Sequence, residues 1–466
     1  MTTVGSSAFQ LRWLHALGFL AGAAGIGLVV SLSDYGAQAI IAVIFLIVLS
    51  YLALKHPLTL IYFLLLTGSL SWAFVTGEEK VFFSALGGLD LNGVRLIGAI
   101  ITFGLLLMYK PEGRKVFFTL KQYLVFLVFA AIGLLYTWNF NSGIRLFSKF
   151  LYPYIIFCVL LLEVKDRETI DKVIRVMMWG ALVGFISIPV STFFGLSSQF
   201  EETMVLVGGG ATHRNPFAFY MVCMAGLSSS LYVYVRERKY LWLSLACSGV
   251  VLLSVTRIAI AALAVVLGMI YFRRSLWKGI LVLLLSAIVI TSYEPIQKRM
   301  FYSSSNMSLV DLVREPSKIF TEVNAFGRFP AWGAGIFNMF LRSPLVGMGI
   351  GSTTGIEYEA GNRLTVMHSE AVRILAEQGA IGTILYLLSY FVLIRRVRLK
   401  TPVASDMTRA CSLAVAPLVV GFFVICLTDN AFDYYAPLGQ NIFTVAALAL
   451  LSQEFDRQSP PGVASV

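Results

Sequence analysis

Long apolar runs recur along nearly the whole sequence, and short charged or Gly/Pro-containing breaks separate them. An α-helix rises 1.5 Å per residue, so an apolar run of about 20 residues can cross ~30 Å of hydrocarbon. The pattern therefore predicts about fourteen membrane spans. The predicted spans lie near residues 13–32, 36–54, 58–77, 92–109, 122–138, 147–163, 173–195, 216–235, 240–256, 258–272, 277–293, 379–394, 410–428 and 438–454.

The composition agrees with this pattern. Hydrophobic residues make up 58% of the 466 positions and charged residues only 13%, a balance that excludes a soluble protein of this length. The first run is too long for the core of a signal peptide, and a second run follows closely, so we expect it to be retained. The predicted fold class is an all-α integral membrane protein with about 12–14 transmembrane helices.

The distribution of lysine and arginine predicts the orientation in the membrane. Basic residues favour short loops on the cytoplasmic side, and with the N-terminus inside, such loops hold more than half of the 36 lysines and arginines. The net charge of +11 is then explained by membrane orientation and by contact with anionic lipids. No motif for nucleic-acid binding is present, so we expect no nucleic-acid partner.

Three arginines depart from this charge pattern. Arg145, Arg214 and Arg257 fall in or beside short connections on the outer side. Ionisable groups at membrane depth are costly and tend to face an internal cavity, which favours a functional role for Arg214 and Arg257. The alternative is that an arginine at a helix end extends to the lipid headgroups, and Arg145 in particular can equally be such an anchor.

The longest segment without a predicted span covers residues 294–378. We therefore predict three parts: an N-terminal transmembrane bundle over 1–293, a large periplasmic loop with the catalytic motifs over 294–378, and C-terminal transmembrane helices with a short cytoplasmic tail over 379–466. Inside the loop, the apolar side chains between Trp332 and Phe340 recur on one helix face. This spacing predicts a short amphipathic helix that lies at the membrane interface and ends near Ser343.

A glycine-rich turn and a helix follow in the sequence. Glycines alternate over residues 347–351, which permits a tight backbone, and their amides could bind a phosphate although the lysine of a Walker motif is missing. Beyond them, the pattern predicts a short helix that runs through Gly379 into a span. Arg373 and Glu377 are expected to form an i, i+4 pair on it.

The chemistry available at the outer face is restricted. ATP is absent there, so a transfer reaction needs a substrate that was activated before it crossed the bilayer, such as a sugar linked to a lipid diphosphate. Arginine suits a diphosphate leaving group, and histidine suits the proton of an attacking hydroxyl near neutral pH. His368, close in sequence to Arg328 and Arg373, meets these needs. The ordinary alternative is a polar residue at the start of a helix, bonded to Glu370.

Several motifs in the right order resemble those of the O-antigen ligase and polysaccharide polymerase superfamily. Two upstream motifs each carry an arginine, at 213–217 and 254–257, and the others are Gly327–Arg328 with Trp332, the turn 343–347, His368 and the glycine-containing segment 377–382. The sequence departs from the family pattern at Ser369, where asparagine is frequent.

This resemblance implies a bacterial inner-membrane enzyme with its site facing the periplasm. It would transfer a glycan from an undecaprenyl (polyprenyl) diphosphate to a hydroxyl of a glycan or glycolipid acceptor, with inversion and without a metal. Arg214, Arg257 and Arg328 would bind the diphosphate, and His368 would be the catalytic base. The resemblance implies no cofactor, and other polysaccharide-assembly proteins are expected partners.

The five cysteines also indicate no metal centre. All of them lie inside predicted spans, without the spacing of a metal site. We expect reduced, structural thiols.

The two branches of the superfamily differ in their acceptor. A ligase transfers the finished glycan to the lipid A core, whereas a polymerase extends another lipid-linked repeat. The segments 368–370 and 428–430 resemble those of exopolysaccharide polymerases more closely than those of ligases. We therefore favour the polymerase slightly and keep the ligase as the alternative. Further residues can bind the acceptor or support the site: Arg145, Glu370, Arg373 and Asp429.

A transporter or a flippase for lipid-linked oligosaccharides is the strongest rival of another class, because many spans and buried cations also describe an anion pathway. No internal repeat of the kind found in transporters is visible. A membrane protease is disfavoured, because the sequence has no HExxH, no GxSxG and no paired intramembrane aspartates.

Overall fold

The computed structural model describes residues 51–53, 55–69, 91–193, 214–292, 314–315, 328–355, 357–359, 362–363, 367–399, 404–434 and 437–458. These ranges leave out the predicted span 13–32, most of the predicted span 36–54 and nearly all of residues 295–326 in the predicted outer loop. The side chain of Arg214 also lies outside what is described, although its backbone is included.

The described chain is almost entirely helical. A short antiparallel hairpin, β1 (Glu357–Glu359) and β2 (Asn362–Arg363), lies within the segment predicted as the outer loop. The helices are α1 Pro57–Leu66, α2 Leu91–Tyr109, α3 Gly113–Phe117, α4 Lys121–Gly133, α5 Phe140–Glu163, α6 Arg167–Phe193, α7 Arg214–Val235, α8 Arg238–Leu253, α9 Arg257–Phe272, α10 Leu276–Ser292, α11 Arg328–Ala334, α12 Glu370–Val397, α13 Asp406–Cys426 and α14 Gly439–Gln458.

A helix lies in every predicted span from 92–109 onward within these ranges, although α4 ends at Gly133 and leaves the last part of the predicted span 122–138 uncovered. By length and composition, five of the described helices can cross a membrane, namely α5, α6, α7, α12 and α13, and several shorter helices are also apolar. The all-α membrane fold is therefore confirmed. The total number of spans stays a prediction, because the first two lie largely outside the described residues.

Apolar side chains cover much of the outer surface of the bundle. Trp277 on α10 is 77% exposed, and Ile384 and Phe391 on α12 are 63% and 60% exposed. In a soluble protein such side chains would be buried, whereas lipid tails surround them favourably in a membrane.

Helix α14 has the opposite character and lies inside the bundle. It is not among the five apolar spans, and the described structure buries Gln440, Asn441 and Thr444 completely. Gln440 accepts a hydrogen bond from the Tyr152 hydroxyl and donates one to the Leu64 carbonyl at 3.1 Å. A helix surrounded by protein can carry polar groups that lipid would exclude.

The ion pairs separate the two ends of the bundle. Lys110, which belongs to a predicted inner loop, pairs with Glu163 at the C-terminal end of α5 at 2.6 Å. Near the opposite end of α5, Lys149 pairs with Asp433 at 2.6 Å. The 24 residues of α5 therefore place the predicted inner loops and the candidate site at opposite ends.

The short helix predicted in the outer segment is present, and its interfacial position stays a prediction. Helix α11 continues through a π-helical turn and a 3₁₀ turn that end at Arg342, which confirms the predicted end. Phe337 is 69% exposed, as an interfacial residue would be. Trp332 is half-buried. Its Nε1 donates to the Met367 carbonyl at 3.1 Å, because this indole anchors α11 to the chain that carries His368.

The glycine-rich turn is bound to a break in α12. Gly379 has a φ of 62°, so α12 consists of a short helix and a longer one. The amides of Met348 and Gly349 donate to the carbonyls of Ala376 and Glu377 at 3.1 and 2.9 Å. A Cβ at Gly379 would collide with the backbone of the turn. Glycine is required here because two backbones touch.

Candidate functional site

Asp429 connects three segments that are distant in the sequence. Its side chain is buried, and its Oδ2 accepts a hydrogen bond from Asn215 Nδ2 at 3.0 Å. Oδ1 accepts from the Asn430 amide at 2.8 Å, and its carbonyl oxygen accepts from the Glu370 amide at 3.0 Å. The connection between α13 and α14 therefore fixes the starts of α7 and α12 beside each other.

The two arginine-bearing motifs meet at this point. Arg214 and Arg257 are the first residues of α7 and α9, and each has a polar neighbour, Asn215 and Thr256 respectively. The Thr256 hydroxyl lies 3.5 Å from Asn215 Oδ1. Two helix N-termini, each beginning with an arginine, favour an anion, because the helix dipoles and the cations act in the same direction.

His368 lies immediately before α12 on strained backbone. Its φ is 53°, in the left-handed region, and its side chain is accessible to solvent. Ser369, which follows it, is buried and caps α12 through its Oγ, which accepts from the Val372 amide at 3.3 Å. The serine that departs from the family pattern thus holds the start of the helix, and the side chain of His368 stays exposed.

Arg328 at the start of α11 is close enough to lower the pKa of both His368 and Asp429 relative to what burial alone would give. Partial burial and the positive charge of Arg328 lower the pKa of His368 below its ordinary value of 6.5, against the opposing effect of Asp429 and Asp433. A neutral, accessible imidazole is the form that accepts a proton. Within the described residues, the buried Nε of Arg328 has no hydrogen-bond partner, so the guanidinium retains a free donor.

Burial also affects Asp429. It raises the pKa of this carboxyl, whereas the Asn430 amide, the charges of Arg328 and His368 and the Asn215 hydrogen bond act in the opposite direction. Its negative charge acts on the imidazole of His368 and would stabilise the imidazolium that would form on proton transfer.

A second group of ion pairs adjoins this site. Arg373 Nε donates to Glu370 Oε1 at 3.1 Å, and Nη1 lies 3.3 Å from both carboxylate oxygens of Asp433. Glu370 is completely buried. Burial would raise the pKa of Asp433, but Arg373 and Lys149 outweigh it and hold that pKa well below its ordinary value.

The predicted pairing of Arg373 with Glu377 was wrong. Arg373 pairs with Glu370 and Asp433, and the Glu377 carboxylate is bound by the glycine-rich turn. The amides of Gly351 and Thr353 donate to it at 2.8 and 3.2 Å. These amides therefore bind a carboxylate of the protein itself and are not available to a phosphate. The same hydrogen bonds explain why the turn lies beside α12.

The structure brings the predicted site residues together in two neighbouring groups. One group consists of Arg328, His368 and Asp429. Asn215 connects this group to the first residues of α7 and α9, because it contacts both Asp429 and Thr256. Arg373 and Glu370 form the other, next to a cavity that Arg145 also lines. The contributions of Asn215, Lys149 and Asn430 were not predicted. Only the position of Asn215 directly after Arg214 could have indicated its role.

The fold and this arrangement define a multi-pass membrane protein with a polar, cationic site at one end of its helices. Residues 242–387 match the family model described as O-antigen ligase. The match includes Arg257, Arg328 and His368, and it confirms the resemblance to the O-antigen ligase and polymerase superfamily. It supports a function of ligase or polymerase type. A search of curated proteins finds no match.

Proposed function

We propose that the protein is a membrane glycosyltransferase that acts on a polyprenyl-diphosphate-linked glycan in cell-surface polysaccharide biosynthesis. The donor is an undecaprenyl diphosphate, the acceptor is a sugar hydroxyl, and the site faces the periplasm of a bacterial inner membrane. The observation that carries the proposal is the bond from Asn215 to Asp429, because it joins the arginine-bearing helix starts to the segment of His368.

The arginines have the first role in this cycle. Arg214 and Arg257 begin two adjacent helices, and Arg328 keeps a buried Nε without a partner in the described structure. Guanidinium groups can bind both phosphates of the donor through paired hydrogen bonds and stabilise the charge of the leaving group. This arrangement needs no metal to neutralise the diphosphate.

His368 has the second role. Its neutral imidazole takes the proton of the acceptor hydroxyl while the hydroxyl oxygen bonds to the anomeric carbon of the donor. The bond from that carbon to the phosphate oxygen breaks, and polyprenyl diphosphate leaves with the electron pair. A single displacement of this kind inverts the anomeric configuration. Asp429 holds the imidazolium until the proton is passed to solvent.

Glycan analysis of a deletion strain tests the proposal. The strain is complemented with the wild type, His368→Ala or Arg257→Ala, and both the polymer ladder and the lipid-linked repeats are resolved. We expect both variants to insert normally and to lose the polymer, with single repeats left on the carrier. Normal polymer from both variants would overturn the catalytic roles and favour a transporter or flippase.

The same experiment separates polymerase from ligase. We favour the polymerase slightly, on the resemblance of segments 368–370 and 428–430. If long chains accumulate on the carrier and none reaches lipid A, the protein is a ligase. The anomeric configuration of the product is a further test, because retention would contradict the single displacement.

A further inference from the structure

A cavity of about 220 Å³ lies beside the catalytic group and has no role in the cycle described above. It opens between the first turns of α5 and the start of α12. Met367 and Asn430 line it, and they directly adjoin His368 and Asp429 in the sequence. A molecule bound there would lie close to the segment that carries the base. Its volume suits one small polar ring.

Asn430 supplies a binding group inside this cavity. Its residue is 1% exposed, and both Nδ2 and Oδ1 are buried without a hydrogen-bond partner in the described structure. Its backbone is fully used, since the amide donates to Asp429 and the carbonyl accepts from the Asp433 amide. A buried amide side chain without partners costs free energy unless a ligand completes its hydrogen bonds.

The charges that line the cavity favour an anionic ligand. Three cations, Arg145, Lys149 and Arg373, line it together with two carboxylates, Asp433 and Glu377, and the buried Glu370 pairs with Arg373 directly behind the lining. Lys149 and Arg373 are both paired with Asp433. Arg145 forms no ion pair or hydrogen bond with any described residue, and its side chain is accessible. Arg145 is therefore the lining cation that no described carboxylate neutralises.

We infer that this cavity binds an acidic sugar residue of the acceptor, with its ring hydroxyls on Asn430 and its carboxylate on Arg145. The inference rests on the proposed function, and it names the class of acceptor. Amide and carboxylate groups suit the hydroxyls of a pyranose, and the guanidinium of Arg145 suits a carboxylate by two parallel hydrogen bonds. A sugar held there presents a neighbouring hydroxyl to His368.

Saturation-transfer NMR on the full-length protein in detergent tests this subsite with two probes, methyl β-glucuronide and methyl β-glucoside, which differ in one carboxylate. We expect the wild type to bind the glucuronide about tenfold more tightly. Arg145→Gln should abolish this preference, and the matched control Arg114→Gln, an exposed arginine outside the cavity, should keep it. Equal binding of both probes by the wild type, or an unchanged preference in Arg145→Gln, would overturn the inference.

A second variant and a second readout keep the two proposals separate. Asn430→Ala removes a buried group without partners, so the protein should fold at least as stably and should bind both probes more weakly. Unchanged binding of both probes by this variant would also overturn the subsite. His368→Ala should lose glycan synthesis yet retain the glucuronide preference. If His368→Ala still makes glycan, the proposed catalysis fails, whatever the probes show about the cavity.

Discussion

Asn215 donates a hydrogen bond to the buried carboxylate of Asp429 over 3.0 Å, although 214 positions separate the two residues in the sequence. Asn215 follows Arg214 at the start of α7, and the Asp429 carbonyl holds the first amide of α12. The contact therefore aligns a cationic helix start with the segment that carries His368.

Removal of this contact should reduce both activity and stability. Asn215→Ala leaves one oxygen of a buried carboxylate without its donor, which costs about 1–3 kcal/mol. Thermal unfolding in detergent and the glycan ladder measure the two effects. The control is Asn139→Ala, which removes the cap of α5 and a long 3.4 Å hydrogen bond to the Thr354 carbonyl, and should cost about 1 kcal/mol without loss of transfer at saturating donor. Full activity of Asn215→Ala would show that the contact does not position the site.

The pH dependence should depend on Arg328. The pKa of His368 is lowered below 6.5, so the neutral base is present above that lowered pKa and is lost as the pH falls through it. Arg328→Gln removes a positive charge that contributes to the lowering, so the pKa of His368 should rise. The acidic limb of the kcat/KM profile should then move to higher pH.

This test separates a catalytic histidine from a structural one. A purely structural His368 would leave the position of the acidic limb unchanged when Arg328 is replaced, even if the overall rate fell. Arg342→Gln, an exposed arginine at the end of the same outer helix, is the matched control and should not shift the profile.

Substitution should be tolerated at Gly355, which follows the glycine-rich turn, but not at Gly351 inside the turn. Gly351 has a φ of 81°, and a Cβ there would collide with the backbone of Gly143, so Gly351→Ala should yield little folded protein. Gly355 has a φ of 90° but nothing within 4 Å of a Cβ. Gly355→Ala should therefore cost only the strain of the left-handed backbone, about 1–2 kcal/mol. Similar yields of the two variants, measured by size-exclusion chromatography in detergent, would contradict the packing described.

The ion pairs of Asp433 should stabilise the fold down to low pH. Its folded pKa is depressed, so the stabilisation is complete above the unfolded pKa of about 3.9 and is lost only as the pH falls through the folded value. Asp433→Asn should reduce stability by about 1–3 kcal/mol near neutral pH, because Arg373 and Lys149 lose a shared partner.

An exposed ion pair provides the comparison. Glu237 and Lys239 pair on the surface with both side chains largely exposed, so Glu237→Gln should change the free energy of unfolding by less than about 1 kcal/mol. If Asp433→Asn had an equally small effect, the cluster around Arg373 would contribute no more than a surface pair.

The sequence predicted the fold class well and the site only in part. Lipid imposes the apolar runs directly, so the spans from 92–109 onward could be found from hydropathy alone. Helix α14 was also found, although its buried Gln440 is satisfied by Tyr152 and Leu64, contacts that no local pattern reveals. The motif resemblance indicated Arg257, Arg328 and His368, which the family match includes.

Long-range contacts explain what sequence reasoning missed. Arg373 and Glu377 have the spacing of a helical pair, yet Asp433 and the amides of Gly351 and Thr353 bind them more directly. The glycines that suggested a phosphate site allow this close backbone approach instead. Asn430 belongs to the segment 428–430 that resembles polymerases, but only the folded chain shows that its side chain is buried without partners among the described residues.

The central claim is that His368 deprotonates the acceptor at a site built by the arginine-bearing helix starts. The most direct measurement is the release of polyprenyl diphosphate from a defined lipid-linked oligosaccharide by the purified protein in liposomes. His368→Ala should lower the single-turnover rate by ~10²–10⁴-fold with donor binding unchanged, whereas His56→Ala, an exposed histidine next to α1, should match the wild type. A His368→Ala rate equal to that of the wild type would contradict the account.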